Sequence, residues 1–283
     1  MPPMGIIMPP MGTIMPPRDT AAMRAVRAAE PPPFGELLSL LQQWQRSGPS
    51  GAAAATGGRG CDSVLLHGRL GCGKSTLARA LCAELGLPLH VVGAATAQLP
   101  RQALEAAVGG SSGVLLLEQL DLLAPAAGAV AGADGTAALL PWLQRARGSG
   151  STFVIGCCGQ VAAVHPRVRR WFDDECELPA PSSSTHRRLL LALLLGGGGD
   201  GGVTGAADRR VLDAEQLVAE VEPLCTAQSY VLADDVALVR EARLLAMVNA
   251  SGGAATSDGA PSPGRQIMPS LVRLAAAPVF CCV

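Results

Sequence analysis

A glycine-rich stretch in the first third of the chain carries the residues with the clearest chemical purpose. Residues 68–75 read GRLGCGKS, which matches the spacing G-x-x-x-x-G-K-[ST] of a phosphate-binding loop, or P-loop. Its glycines let the backbone curl so that successive N–H groups face one anion. Lys74 would reach the phosphates, and the Ser75 hydroxyl would bind Mg²⁺. The residues expected at the phosphates are Gly68, Gly71, Cys72, Gly73, Lys74, Ser75 and Thr76.

The sequence around the loop supports this interpretation. An apolar run at residues 63–67 predicts a strand before the loop, and residues 74–85 predict a helix after it. Lys74 is the only lysine of the chain, and every other basic residue is arginine. Binding of a nucleoside triphosphate is therefore the leading hypothesis. The alternative is a glycine-rich turn that carries an ordinary exposed lysine.

A second stretch places carboxylates after an apolar strand. Residues 113–125 read GVLLLEQLDLLAP. A P-loop protein requires an acidic residue at the end of a neighbouring strand, because that carboxylate orients Mg²⁺. Glu118 is the first candidate. We interpret Asp121 as a carboxylate at the start of a short helix.

These two stretches together resemble the AAA ATPase family, whose second motif runs apolar-Asp-Glu-apolar-Asp and is often followed by Leu-Ala-Pro. The resemblance implies that Glu118 and Ser75 hold Mg²⁺ and that ATP is the nucleotide. Gln119 takes the position of the catalytic carboxylate that activates water. Because an amide cannot accept a proton from that water, the resemblance implies binding with poor hydrolysis.

Residues 152–177 resemble the family's stretch in which a polar sensor follows a strand and arginines follow a short helix. Gly159 or Gln160 stands where the family has its sensor asparagine. Arg170 matches the first of two arginines that act on the neighbouring subunit's nucleotide; the alternative is a solvated or interface arginine. Residues 98–108 contain no aromatic residue, so we expect an ordinary loop and helix there and no threading of substrate.

The order of elements predicts an α/β fold with a parallel sheet between helices, followed by a small all-helical lid. The predicted limits are a disordered leader at 1–33, a helix and linker at 34–60, the nucleotide-binding core at 61–181, the lid at 182–248 and a disordered tail at 249–283. Lid helices are expected at residues 186–195, 213–221 and 232–248. Residues 196–208 are expected to form a flexible insertion.

Composition excludes several classes of function. The net charge is −1, from 22 basic and 23 acidic residues, so no nucleic acid partner is expected. The nine cysteines are scattered without a C-x-x-C pair, and we interpret them as buried free thiols rather than a zinc site or disulfide framework. No apolar run approaches the roughly 20 residues of a membrane span.

Within the family, residues 64–76, 85–91, 114–123 and 175–181 most resemble the first, degenerate module of the peroxin-6 type peroxisomal ATPase. This implies a homo- or hetero-hexamer of AAA subunits, with a peroxin-1 type partner, that exports import receptors from the peroxisomal membrane. The expected location is cytoplasmic or at that membrane's surface, reached only through partners. The alternatives are an active ATPase and a small-metabolite P-loop kinase.

Overall fold

Five parallel strands form one sheet in the computed structural model of the protein. The structure describes residues 33–47, 61–93, 112–126, 135–195 and 204–252, together with Met23, Val26, Arg27 and Glu105. The strands are β1 (Ser63–His67), β2 (Leu89–Val92), β3 (Gly113–Leu117), β4 (Thr152–Cys158) and β5 (Asp174–Glu177). Their order across the sheet is β2-β3-β4-β1-β5, which confirms the predicted parallel α/β core.

The central strands are apolar because helices cover both faces of such a sheet. Every residue of β3 and β4 is buried. In β1, Leu65 pairs with Gly156 of β4 on one side and with Glu175 of β5 on the other. Since all five strands run in the same direction, the loops that follow β1, β3 and β4 leave the sheet at one edge, where parallel sheets bind ligands.

Besides the isolated helical residues Met23, Val26, Arg27 and Glu105, the described part of the chain also contains eight α-helices with defined ends. They are α1 (Pro33–Ser47), α2 (Lys74–Glu84), α3 (Leu120–Leu123), α4 (Gly135–Ser149), α5 (Pro166–Arg169), α6 (Ser183–Leu195), α7 (Thr204–Ala227) and α8 (Leu232–Gly252). None of these helices combines the length and the apolar character that crossing a membrane requires.

The prediction of a flexible insertion at residues 196–208 is wrong in its second half. Helix α7 begins at Thr204 and continues to Ala227, well beyond the helix expected at 213–221. Alanine and arginine at residues 206–210 favour helix strongly enough to extend it. Helix α8 also continues into the tail predicted to begin at residue 249.

Several other predictions concern residues that the structure does not describe. These are most of the leader, the linker at 48–60, the tail beyond residue 252 and the loop and helix at 98–108, of which only Glu105 is described. Within the leader, Met23, Val26 and Arg27 are helical, and the first two side chains are buried.

The chain divides into two compact units. The described part of the first unit consists of residues 33–47, 61–68, 78–93, 112–126 and 135–177, with Glu105, and contains the sheet. The described part of the second consists of residues 69–77, 178–195 and 204–252, with Met23, Val26 and Arg27, so it joins most of the P-loop to the helices that follow the sheet. The domain limits predicted from the sequence, 61–181 and 182–248, stay a prediction.

The first unit is held together by an apolar core and by one arginine. Leu65, Leu115 and Phe172 belong to the core cluster around the sheet. Arg147, near the end of α4, donates to the Ser63 hydroxyl at 3.1 Å and to the Trp171 carbonyl at 2.6 Å. It thereby ties α4 to the start of β1 and to the segment before β5.

The second unit contains α6, α7 and α8. Helix α6 packs against both α7 and α8. Leu190, Val218 and Val239, one from each helix, are almost completely buried. Arg243 of α8 also donates to the Leu193 carbonyl near the end of α6 at 2.6 Å. This arrangement confirms the all-helical composition expected for the region after the sheet.

Candidate functional site

The P-loop begins where β1 ends and leads directly into α2. Gly71 and Gly73 have φ angles of 81° and 95°, a region that side chains rarely adopt. The Cys72 N–H donates to the Arg69 carbonyl at 3.3 Å, and the Leu77 N–H donates to the Gly73 carbonyl at 2.7 Å, which starts the helix. The loop is therefore curled and ends at a helix N-terminus, as an anion site requires.

Lys74 lies back along the loop. Its Nζ donates to the Arg69 carbonyl at 2.9 Å and lies 3.8 Å from the Cys72 sulfur. Burial raises the pKa of the Cys72 thiol, against the opposing charge of Lys74. Ser75 and Thr76, the remaining predicted phosphate contacts, are half-buried in the first turn of α2.

The first turn of α8 packs directly on the P-loop. The Ala233 N–H donates to the Gly71 carbonyl at 3.0 Å. A Cβ atom added to Gly71 would lie 2.8 Å from Cγ2 of Val231, and one added to Gly73 would overlap Cδ2 of Leu232. The two glycines are therefore required both by the backbone and by the close approach of α8.

A cavity of about 220 Å³ adjoins the loop within the second unit. Cys72, Gly73 and Leu77 form its P-loop side. The rest of the cavity lining comes from the segment before α6, from α6 itself and from the start of α8. Val26, from the N-terminal part of the chain, also lines it. Those further lining residues are Leu178, Pro179, Ala180, Pro181, Ser182, Thr185, Leu189 and Leu232. An apolar cavity next to a phosphate-binding loop is suited to the base of a nucleotide.

Glu118 lies in the first unit, directly after β3. Its Oε1 accepts a hydrogen bond from Nη2 of Arg79, in α2, at 2.8 Å. The carboxylate that the sequence assigns to Mg²⁺ thus carries a partner that no motif indicated. One sequence feature could have indicated Arg79. It is a charged residue between the apolar residues Leu77, Ala78, Ala80 and Leu81, which are all buried.

Gln119 follows Glu118 in a left-handed conformation, with φ 54° and ψ 50°. Its side chain is exposed and makes no capping hydrogen bond to α3. The amide therefore lies on the surface of the first unit at the edge where β3 ends.

Asp121 is in the first turn of α3, which confirms its interpretation as a helix-start carboxylate. Its Oδ2 accepts the N–H of Gly159 at 2.9 Å. Gly159 follows β4, so this bond connects the helix after Glu118 to the position where the AAA family has its sensor asparagine. The sequence alone did not indicate this contact.

Arg170 directly follows the short helix α5 and is exposed, with its N–H donating to the Pro166 carbonyl at 3.0 Å. The preceding Arg169 makes a two-pronged ion pair with Glu175, at 2.6 and 2.8 Å. Arg169 therefore forms an ion pair within the first unit, whereas Arg170 is the exposed arginine at the position that the resemblance indicated.

The cysteines of the described segments are free thiols. Cys72, Cys82, Cys157, Cys158 and Cys225 are buried, and Cys61 and Cys176 are half-buried. Burial raises the pKa of the Cys82 thiol to about 12, which keeps it protonated and unreactive near neutral pH. Cys281 and Cys282 lie outside the described residues.

The strand order, the curled loop and the helix that follows it define a P-loop protein of the α/β class. Residues 64–180 match the ATPase family associated with various cellular activities (AAA). This segment, which spans the P-loop, Glu118 and Arg170, is what the chain shares with the AAA ATPase family. No curated protein matches the chain.

Proposed function

We propose that this chain is an ATP-binding AAA module that holds the triphosphate on the P-loop and the adenine in the adjoining cavity. The observation that carries the proposal is the curled loop of residues 68–75, with Lys74 at the N-terminus of α2. Gly71 and Gly73 expose backbone N–H groups to an anion, and Lys74 supplies the positive charge. The apolar cavity beside Cys72 and Gly73 supplies a surface for the base.

Calorimetric titration with ATP tests this proposal. Lys74→Ala is expected to weaken binding at least about tenfold, because a charge-assisted bond to phosphate contributes more than a neutral one. Arg240→Ala, an exposed arginine of α8, removes the same charge from the same unit and should leave the affinity unchanged. Absence of ATP binding by the folded wild-type chain would contradict the proposal.

Mg²⁺ is the cation that this chemistry requires. The Ser75 hydroxyl is a suitable ligand, and the Glu118 carboxylate is a suitable acceptor whose charge Arg79 already compensates in part. When bound, the cation would neutralise the phosphate oxygens. Each of these groups is by itself chemically suited to Mg²⁺, although Arg79 reduces the negative charge that Glu118 offers.

The proposed module hydrolyses ATP weakly. Gln119 replaces the carboxylate that accepts a proton from the attacking water, and its amide cannot do so. Gln119→Glu is expected to raise basal hydrolysis by at least about tenfold, within the range that a general base contributes. Substantial turnover by the wild-type chain that disappears in Lys74→Ala would instead identify an active ATPase.

The finer proposal is that the module supports a ring of AAA subunits of the peroxin-6 and peroxin-1 types. The stretches 64–76, 85–91, 114–123 and 175–181 support the resemblance, and Arg170 is exposed as an arginine that acts in trans must be. Such a ring would reach the peroxisomal membrane through its partners. Sedimentation with and without Mg·ATP tests assembly, and Arg170→Ala is expected to weaken it.

A further inference from the structure

A buried histidine–aspartate pair connects the two helices that line the cavity. Nδ1 of His186, in α6, lies 2.7 Å from Oδ2 of Asp235, in α8. The exposed fractions of these side chains are 1% and 0%. The sequence assigned no chemical role to His186 or Asp235.

Each member of the pair lies next to residues of the cavity wall. In α6, Thr185 directly precedes His186, and Leu189 follows it by less than one turn. In α8, Leu232 precedes Asp235 by less than one turn. Between them, the Ala233 N–H donates to the Gly71 carbonyl of the P-loop. A change in the His186–Asp235 distance would therefore move both walls and the helix turn that rests on the loop.

We propose that His186 and Asp235 are positioning residues that set the separation of α6 and α8 and thereby the affinity of the cavity for the nucleotide base. This inference rests on the proposed ATP binding. A short, directional hydrogen bond fixes the distance between two helices more narrowly than apolar packing does. The groups proposed to bind the triphosphate are Lys74 and the N-terminus of α2. Neither belongs to α6 or α8, so we expect the pair to affect binding of the base much more than binding of the triphosphate.

The test compares two ligands on the same chain. ATP occupies the loop and the cavity, whereas inorganic tripolyphosphate occupies the loop alone. The variant His186→Leu/Asp235→Leu removes both polar groups together, which avoids leaving one of them buried without a partner. Its ATP affinity is expected to fall about tenfold, and its tripolyphosphate affinity should stay within about twofold of wild type.

Arg243→Met is the matched control. Arg243 also joins α8 to α6, through the carbonyls of Leu193 and Leu194, but at the other end of the helix pair and away from the cavity lining. Its loss should leave the ratio of the ATP and tripolyphosphate affinities unchanged. A shift of that ratio in Arg243→Met equal to the shift in the double variant would overturn the proposal, because any loosening of the helices would then suffice.

A second variant keeps the test decisive if the double variant does not fold. His186→Gln retains a group able to bond to Asp235 but places its nitrogen one bond further from the backbone than Nδ1 of histidine. The ATP affinity should therefore fall about threefold with tripolyphosphate unaffected. An unchanged ratio in every folded pair variant overturns the proposal while ATP binding by the wild type stands. If the wild type binds tripolyphosphate but not ATP, the cavity does not hold the base, and if it binds neither, the proposed function itself fails.

Discussion

The guanidinium of Arg147 lies 4.4 Å from the centre of the Trp171 ring and donates from Nη2 to Oδ1 of Asp173 at 2.8 Å. Its Nε is 3.6 Å from Oδ1 of Asp62, too far for a hydrogen bond. Two carboxylates thus share one cation where β1 and β5 begin. Burial, and then the neighbouring Asp173, raise the pKa of Asp62 to about 6 against the opposing Arg147.

The first prediction concerns the pH dependence of folding. Because the pKa of Asp62 is higher in the folded chain than the ordinary value of about 3.9, its protonation favours folding. That contribution is complete below about pH 4 and is lost as the pH rises through about 6. Asp62→Asn should therefore be more stable than wild type at pH 7, by about 1 kcal/mol after allowance for solvent screening, with little difference at pH 4.

Chemical unfolding between pH 4 and 7 measures this difference. Burial also raises the pKa of Asp173, but hydrogen bonds from Ser63 and Asp62 and the charge of Arg147 outweigh it and leave that pKa below its ordinary value. Its contribution is lost only as the pH falls below about 4, in a separate window. Asp174→Asn, an exposed neighbour, is the control. Equal stability of Asp62→Asn and wild type at pH 7 would refute the assignment.

The sequence predicted the elements of the site better than the contacts that hold them. The apolar run at residues 63–67 predicted β1 with its observed bounds, and the apolar run before Glu118 forms β3, because burial on both faces of a parallel sheet leaves a continuous apolar run. The loop itself could be predicted because its chemistry requires glycines at fixed positions.

Contacts between charged residues far apart in the chain could not be predicted in the same way. Arg79 and Glu118 are 39 positions apart, and His186 and Asp235 are 49 positions apart. No periodicity relates such pairs, and only the packing of two whole elements brings them together. The length of α7 was predicted too short for a different reason. Glycines and Asp208 lie near its start, and residues of these types do not favour helix, so the helix-forming residues between them were not recognised.

The second prediction separates crowding from backbone strain at Gly73. In Gly73→Ala the new methyl group would overlap Leu232, and φ is 95°. In Gly86→Ala φ is 63°, but no atom lies within 4 Å. Both variants should lose about 1–2 kcal/mol of stability, because a side chain is strained in this region. Only Gly73→Ala should also lose ATP binding, measured by calorimetry.

Removal of Leu232 checks the proposed cause. In the double variant Gly73→Ala/Leu232→Ala, the space that the methyl group needs is open, so part of the lost ATP affinity should return. If the double variant binds ATP no better than Gly73→Ala, the left-handed backbone rather than α8 explains the requirement for glycine at this position.

The third prediction concerns the left-handed Gln119. Glycine adopts this conformation without a Cβ penalty but is more flexible in the unfolded chain. Gln160 is also an exposed glutamine at the edge of the sheet, with an ordinary extended backbone at φ −134°. Gln119→Gly should therefore be more stable than Gln160→Gly by about 1 kcal/mol in thermal unfolding. Equal destabilisation by the two substitutions would show that Gln119 is not strained.

The fourth prediction concerns the cost of breaking the His186–Asp235 pair. His186→Leu leaves the Asp235 carboxylate buried without its nitrogen partner, and Oδ1 of Asp235 already has no hydrogen-bond partner among the described residues. The expected loss is about 3–5 kcal/mol. Adding Asp235→Leu removes the carboxylate that was left without a partner. The double variant His186→Leu/Asp235→Leu should therefore recover most of the lost stability. Urea unfolding of wild type and the two variants measures both steps. A double variant as unstable as His186→Leu would mean that packing around α6 and α8, rather than the buried carboxylate, sets the cost.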